Sequence, residues 1–403
     1  MWIGLDDTDS PRGMCTTYLG AVLRRRLERG GITVTEARLI RLNPTIIHKT
    51  RGNAAICLVA DGDPDRAFDI ACRAVDEFAQ LDHPETNPGV AVSPERPLPS
   101  LYRRAVTDFC ELADALAVLD AAGARYRGYG NSRGLIGATA AIAADLPDRT
   151  FELLAYRRRE RWGTPREVDR MSLFLADRET TPHTWDTVDR ADDAVVAVPH
   201  TPDPVLFGIR GESPEWVRRA ASLIRSEAPA CTEIYLTNQG TDAHLLCGRI
   251  GSLREGRSYR VPGTVASPAV TGPGGHVSLL LEDDGGTLRC MAYEPTGRFR
   301  DVVRALLPGD RVEVSGSCTG GSLNLEKLCL VSRADAVTIR PPPCPACGRR
   351  MTSAGAGKGY KCRRCGARAA EPEQKPVPRT IAPGWYEVPP TARRHLARPL
   401  IRG

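Results

Sequence analysis

Lysine is scarce in this chain. Five lysines stand against fifty arginines, and Lys49 is the only one before Lys327. Base composition of the genome accounts for such a bias as readily as function does. Aromatic residues amount to 5%. No apolar run approaches the ~20 residues of a membrane-spanning helix, and the N-terminus opens as a short strand followed by acids, not as a charged region with an apolar leader. A soluble, cytoplasmic protein without membrane contact is therefore expected. Two nucleotide signatures are also missing. No G-x-x-x-x-G-K-[ST] phosphate loop occurs, and Gly355-Ala356-Gly357-Lys358-Gly359 resembles one only superficially. The K-x-D-G context of a lysine nucleophile is absent too, which speaks against an ATP-dependent RNA ligase or nucleotidyltransferase.

What is present begins at the N-terminus. Asp6, Asp7 and Asp9 crowd into Gly4-Leu5-Asp6-Asp7-Thr8-Asp9-Ser10, directly after the apolar run Trp2-Ile3-Gly4-Leu5. Like charges this close raise one another's pKa, so a hard cation is the usual physical reason to gather them, with magnesium and a nucleotide as the first candidate. Capping of the next helix, expected over about 15–29, is the plainer alternative, but a cap needs one short polar residue and not three acids. Gly13-Met14-Cys15-Thr16-Thr17 adds a flexible turn and two hydroxyls at the helix start, where backbone N–H groups attract anions. The segment His48-Lys49-Thr50-Arg51-Gly52-Asn53 joins two cations, a hydroxyl and a glycine, a combination suited to phosphate.

A chain of 403 residues is too long for one ordinary core and suggests two to four domains. The first stretch alternates strand and helix like an open α/β sheet: strands near 2–5, 37–42 and 54–60, helices near 15–29, 64–79 and 102–119, and a proline-marked connection over 84–99. A glycine-rich stretch, 128–137, follows as a turn. Strands near 151–156, 194–198, 205–209 and 233–237 with a helix over 214–225 then have the size and order of a ferredoxin-like sandwich. Residues 259–332 read as five strands with one short helix between the third and fourth, the pattern of an OB-fold. Only Tyr259, Tyr293 and Phe299 are available there for base stacking.

Of thirteen cysteines, nine are scattered singly in mostly apolar runs and four are paired. Cys344, Cys347, Cys362 and Cys365 form C-x2-C-x14-C-x2-C, a spacing that lets two knuckles supply four thiolates to one structural zinc. Arg349, Arg350, Lys361, Arg363 and Arg364 interleave with them and point to nucleic acid. Residues 344–403 carry a net charge of +10 within a chain whose total is +6. They are expected to act as a basic arm on phosphate backbone, with a merely solvated tail as the alternative.

Several long motifs in one order then become recognisable. The acid loop with Arg12-Gly13-Met14-Cys15-Thr16-Thr17-Tyr18-Leu19, Arg38-Leu39-Ile40-Arg41-Leu42-Asn43-Pro44-Thr45, Lys49-Thr50-Arg51-Gly52-Asn53, Arg133-Gly134-Leu135-Ile136-Gly137-Ala138, Gly208-Ile209-Arg210-Gly211-Glu212-Ser213, Leu323-Asn324-Leu325-Glu326-Lys327, the cysteine pairs and Tyr386-Glu387-Val388-Pro389-Pro390 resemble archaeal tRNA(Ile) 2-agmatinylcytidine synthetase, the TiaS family. The resemblance covers nearly the whole chain.

The resemblance implies a multidomain α/β and α+β protein: a kinase-type ATP-binding domain over 1–130, a ferredoxin-like domain over 131–250, an OB-fold β-barrel over 251–340, a zinc ribbon over 341–370 and a basic tail over 371–403. It implies ATP-dependent replacement of the C2 oxygen of the wobble cytidine by agmatine in the isoleucine tRNA with a CAU anticodon. An amine cannot expel oxide from that carbonyl, so the oxygen must first become a phosphorylated leaving group, which calls for ATP and Mg2+. Asp6, Asp7 and Asp9 are then expected to hold magnesium (Asp6 and Asp7 foremost) or orient the reacting oxygen, Thr16 to be phosphorylated with Thr17 as competitor, and Lys49, Arg51, Gly134 and Gly137 to neutralise and cradle phosphates. Glu212 and Asp242 are candidates for the doubly cationic agmatine, by composition alone. The cytidine is expected to be flipped into the catalytic pocket, while the OB-fold, zinc ribbon and basic tail grip the tRNA elsewhere. A non-catalytic OB-fold and zinc-ribbon RNA-binding protein is the rival reading, and it leaves the acids, Lys49 and the threonine pair without a task. The oligomeric state is unknown from the sequence.

Overall fold

The computed structural model describes residues 1–49 and 52–403. Strand Trp2–Asp6 is central because both of its edges are paired, antiparallel to Ala54–Asp61 on one side and to Gly89–Ser93 on the other. Residues alternate between faces with the period of two that a strand imposes. Ile56, Leu58, Val90 and Val92 enter one core with the helices Thr16–Arg29 and Pro64–Phe78. Ala55, Cys57 and Ala91 enter the opposite core with Ser100–Thr107, Leu112–Ala121 and Gly134–Ala143.

The sheet does not end with the first unit. Thr33–Arg41 pairs parallel to Cys231–Thr237, and Thr150–Tyr156, Val205–Gly211 and Thr184–Trp185 follow, so a single nine-stranded sheet carries both of the units expected from the sequence. Among the described residues, that junction is the only parallel pairing in it.

Three expectations change. The helix read over 102–119 is two, because Asp108 is extended and Glu111 starts a new helix with a reciprocal capping box to Asp114. Strand Gly89–Ser93, wholly buried, lies inside the connection read as irregular. The glycine-rich stretch is a turn only as far as Arg133; Gly134 and Gly137 belong to the helix Gly134–Ala143. Glycine is needed there for close approach and not for a bend. A Cβ on Gly4 would strike the Ala138 carbonyl, and one on Gly134 would strike the backbone of Gly89, so the helix rides directly on the central strands.

Residues 258–332 close into a five-stranded barrel. Ser258–Val265 pairs with Arg311–Thr319, which pairs with Ser322–Ser332; Gly286–Ala292 and Val277–Asp283 complete the circuit back to Ser258–Val265. The helix Phe299–Arg304 sits between the third and fourth strands. Tyr259 and Phe299 point into the barrel core and present no face to a base. Tyr293 is the exposed one, edge-on to His276 with ring centroids 5.2 Å apart.

The C-terminal segment is not a free arm. Gly384–Glu387 adds a strand to the barrel beside Ser322–Ser332, and residues 388–403 run back along the second half of the large sheet. Arg393 pairs with Asp186 and Glu387, Arg394 with Glu326, and Arg402 with Asp148 and Glu212. The positive charge of this last stretch, read as part of a grip on phosphate, pairs with carboxylates of the sheet and barrel, and the buried ones among them, Asp186 and Glu326, need paired cations when they leave water. Glu326 shows the effect: burial alone would raise its pKa, yet His244, Arg394 and Ser317 pull it down to about 2.

Between barrel and C-terminal strand lies the cysteine-bearing module. Its apolar core is only Cys344, Met351 and Cys362, with a few half-buried neighbours. The four sulfur atoms lie within 4.8 Å of one another, with separations of 3.4 Å for Cys344–Cys365 and 3.5 Å for Cys347–Cys362. A tetrahedron of thiolates at zinc's bond length requires about 3.8 Å. Backbone N–H groups of Cys365 and Arg364 lower the Cys362 thiol, while the neighbouring sulfurs raise Cys365, as expected of thiols crowded together without a cation between them.

Two outcomes are expected. Cys347→Ser lowers zinc content from one to none per chain by elemental analysis and makes residues 341–376 protease-sensitive, while the thermal transition of the rest stays in place. Glu326→Gln flattens the acid-stability curve, because a carboxyl depressed to about 2 stabilises fully above its ordinary value near 4.5 and loses that contribution as pH falls between the two; a urea midpoint that falls from pH 5 to pH 2.5 as steeply in the variant as in the wild type would contradict this.

Candidate active site

The acid loop leaves strand Trp2–Asp6 where it abuts the helix Gly134–Ala143, and its three carboxylates diverge. Asp6 lies against Gly137, at a spot where any Cβ would collide with the carboxylate. Burial first, then the charges of Asp7 and Asp9, push its pKa well above the carboxylate range and outweigh the pull of Arg133, so it is short of compensating positive charge. Asp7 adopts φ +55°, a left-handed conformation that turns it towards Arg133. Arg133 holds it with two N–H donors, at 2.7 Å from Nε and 3.3 Å from a terminal nitrogen, and the Asn87 N–H donates at 3.2 Å. Asp9 accepts from the Thr16 hydroxyl at 3.0 Å. Among the described residues, the cysteine cluster is the sole gathering of three or more potential metal donors. The acids thus divide their tasks instead of surrounding one point.

Thr16 is placed more rigidly than its neighbour. Its buried hydroxyl donates to Asp9 and accepts from the Thr8 N–H at 3.3 Å and the Thr8 hydroxyl at 3.1 Å. The Thr17 hydroxyl faces the Cys15 sulfur at 3.0 Å instead. The sequence favoured Thr16 with Thr17 as competitor; the first turn of the helix separates the two.

Two cavities meet at Asp9, Gly52 and Ala54. The first, about 340 Å³, has a polar end of Asp6, Asp7, Asp9, Lys49 and Arg133 and an apolar wall of Leu42, Ile46, Ile47, Ala105, Phe109 and Ile136. Gly137 lines it; Gly134 does not, and packs instead on Gly89. Lys49 donates to the Pro44 carbonyl, and its pKa is lowered by burial and by Arg394. Arg51 lies outside the described residues. The barrel buttresses the apolar wall: Arg257 pairs with Asp108, Gly256 sits under the Phe109 ring, and the Gly256 carbonyl accepts from Asn43 at 3.0 Å.

The second cavity, about 270 Å³, lies beyond Asp9 and is lined by Thr16, Arg41, Glu152, Asp186, Arg210 and His395, among others. Arg210 bridges it, at 3.3 Å from Glu152, 3.2 Å from Asp186 and 2.6 Å from His395 Nδ1. Burial, then Arg41, Arg210 and Lys49, keep the His395 pKa well below its ordinary value, so the ring is neutral. Sequence reasoning missed Glu152, Asp186 and His395. Arg41 and Arg210 stood inside recognisable motifs, but nothing in their spacing announced that they share a chamber. Glu212 and Asp242 are not in either cavity: Glu212 binds Arg402 at 2.6 Å, and Asp242 binds Lys327.

Comparison with known proteins agrees with this architecture. Family models described as the TiaS TCKD domain, the TiaS FLD domain and the TiaS C-terminal zinc ribbon domain match residues 2–131, 132–244 and 341–381. An isoleucine-tRNA 2-agmatinylcytidine synthetase TiaS of Methanocorpusculum labreanum is 49% identical, over 100% of this chain and 97% of its own. Solved structures of TiaS in complex with its isoleucine tRNA and ATP, and with the same tRNA, AMPCPP and agmatine, superpose with TM-scores of 0.93 and 0.91 at 43% and 41% identity, each covering 100% of this chain and 97% of the other. With near-half identity along its entire length, the acid loop, the paired chambers and the four-cysteine ribbon in one order, the chain belongs to the TiaS family.

Proposed function

We propose that the two chambers divide the work of the family's reaction, ATP-dependent synthesis of 2-agmatinylcytidine at the wobble cytidine of the isoleucine tRNA with the CAU anticodon. The chain is an ATP-dependent tRNA-modifying ligase whose substrates are ATP, agmatine and that tRNA. The observation that carries the division is the Thr16–Asp9 hydrogen bond, which lies where the chambers join.

In this reading ATP occupies the first chamber, its base against Ile46, Ile47 and Phe109 and its phosphates towards Lys49 and Arg133. Asp6, enclosed and short of positive charge, and Asp9 are the carboxylates that would hold Mg2+; two carboxylates plus phosphate oxygens are a normal magnesium environment, and the ion would offset phosphate charge. Asp7 serves chiefly to fix Arg133. Asp9 accepts the Thr16 proton as the hydroxyl oxygen takes a phosphoryl group from ATP, the broken P–O bond leaving its electron pair on the remaining nucleotide; the phosphoryl group then passes to the cytosine C2 oxygen, and the Thr16 oxygen takes its proton back from Asp9. The cytidine and agmatine meet in the second chamber, where Glu152 and Asp186 supply carboxylates. The agmatine nitrogen forms its bond to C2 as the C2–O bond breaks, and the electron pair leaves on phosphate. Glu212 and Asp242 are assigned to anchoring the C-terminal segment, since Arg402 and Lys327 already neutralise them.

The same reading names residues 1–130 a kinase-type domain, 131–250 a ferredoxin-like domain, 251–340 an OB-fold and 341–370 a zinc ribbon, the last two gripping tRNA outside the anticodon. Among the described residues no helix is long and apolar enough to cross a membrane, and a cytoplasmic place, where the tRNA is found, goes with the activity. A non-catalytic scaffold would have no use for a threonine held on a carboxylate between two cavities.

The direct test is incubation with ATP, Mg2+, agmatine and the CAU-anticodon transcript, followed by nucleoside mass analysis; absence of the agmatine increment on the wobble cytidine rejects the reading. Thr16→Ala and Asp9→Asn are each expected to reduce turnover by about 100-fold or more, with Thr17→Ala within about threefold of wild type at the same step, and the reverse order would reassign the acceptor. Gly137→Ala should abolish ATP binding, measured by titration calorimetry, because the new methyl displaces Asp6; retained affinity would show that Asp6 does not contact the nucleotide.

A further inference from the structure

The second chamber contains a group that no step above uses. His395 comes from the C-terminal segment, remote in sequence from every other residue of the site. Its backbone is fixed by the Gly240 N–H, which donates to the His395 carbonyl at 2.8 Å, and by the neighbouring pair Asp242 N–H to Leu396 carbonyl at 2.8 Å. The ring is fixed by Arg210, which approaches Nδ1 at 2.6 Å.

That contact determines the tautomer. A guanidinium has only N–H donors and cannot accept. Nδ1 must therefore be the bare acceptor nitrogen, and Nε2 must carry the proton. A second proton would set N–H against N–H, with Arg41 and Lys49 opposing the charge as well. Asp9, Glu152, Asp186 and Asp203 are the carboxylates on the same chamber wall, but Glu152 and Asp186 face Arg210, Asp203 faces Arg166 and Thr201 and Asp9 faces Thr16. Nε2 lies on the other side of the ring, towards Gly52, whose Cβ, were there one, would stand 3.3 Å away. Gly52 is where the two cavities meet. A neutral, pre-oriented N–H donor at the mouth between a nucleotide chamber and an acceptor chamber can bind an oxyanion but cannot take a proton from an attacking amine.

We propose that His395 is a catalytic hydrogen-bond donor: its Nε2–H binds a phosphoryl oxygen in the chamber beside Thr16 and stabilises the phosphate that leaves the cytosine C2. This rests on the functional reading above. The step balances without His395 changing protonation. The amine nitrogen's pair makes the C–N bond, the C–O pair goes to phosphate, and the proton lost by nitrogen passes to the departing phosphate or to water. The C-terminal segment then does more than fasten domains, since it completes the chemistry.

The test uses the full-length protein and two isosteric variants. In His395→Asn the amide oxygen replaces Nδ1 as the acceptor for Arg210 and the distal donor is lost. In His395→Gln the amide nitrogen reaches the position of Nε2 and the donor is restored. His395→Asn should lower kcat for agmatine incorporation by about 100-fold, the loss typical of one oxyanion donor, with KM for ATP unchanged; His395→Gln should recover most of it. Equal loss in both variants, or none in Asn, overturns the proposal. An activity-independent measurement separates it from the functional reading. Inorganic phosphate titrated calorimetrically into the ADP-saturated protein should bind about tenfold more weakly to His395→Asn than to wild type or His395→Gln, the value of one hydrogen bond to a charged group. Failure of the wild type to incorporate agmatine rejects the functional reading, and equal phosphate affinity in all three rejects the role of His395.

Discussion

Buried carboxylates dictate how this molecule closes on itself. Asp186, Glu326, Asp242 and Asp310 sit on the large sheet or the barrel at positions largely withdrawn from water, and a carboxylate there is tolerable only beside a cation. The cations arrive from elsewhere in the chain. Arg393 serves Asp186, Arg394 serves Glu326, Lys327 serves Asp242 and Arg379 serves Asp310 with two short donors. Removing one partner of such a pair typically costs about 3–5 kcal/mol, so sheet, barrel and C-terminal segment are held in one arrangement by a few pairs. Arginine suits the task better than lysine because its planar fork meets a carboxylate with two donors, as at Asp7 and Asp310.

That arrangement is what creates the site. The first chamber takes its polar end from the acid loop, its apolar wall from the segments at Ile46 and Phe109, and its support from the barrel loop at Gly256 and Arg257. The second takes Thr16 and Arg41 from one half of the sheet, Glu152 and Arg210 from the other, and His395 from the C-terminal end. The parallel pairing of Thr33–Arg41 with Cys231–Thr237 fuses the halves, so Arg41 and Glu152 hold a fixed spacing and do not swing on a linker. Asp6 carries the opposite kind of tension, an enclosed acid short of positive charge, and such an uncompensated group is a mark of a place that awaits a ligand.

Much of this was legible in the chain. Local rules placed the N-terminal strand, the helix after Cys15, the five barrel strands and the four-cysteine module, because each rests on short-range periodicity or fixed ligand spacing. The glycine-rich stretch misled for a definite reason. Glycine lowers helix propensity, but the close seat of Gly134–Ala143 on Gly4 and Gly89 overrides it. Tyr259 and Phe299 looked available to RNA because their strand and helix were known while the inward direction of the barrel was not. Glu212 and Asp242 were charged residues in plausible segments, and only the returning C-terminus, at Arg402, and the barrel strand, at Lys327, revealed that both were already neutralised.

The sequence by itself determined the chemistry at hand: three acids and a threonine within eleven residues, cations for phosphate, four thiolates for one metal, and motifs in a family's order. These features lie close together along the chain or have fixed spacing, so no distant contact is needed to read them. Tertiary structure alone decided which threonine meets Asp9, which acid is held by Arg133 and which is enclosed without such a partner, and which side of His395 faces the chamber. Those are matters of direction between segments as many as 185 residues apart. Direction is set by packing and charge pairing in three dimensions, on which linear spacing is silent.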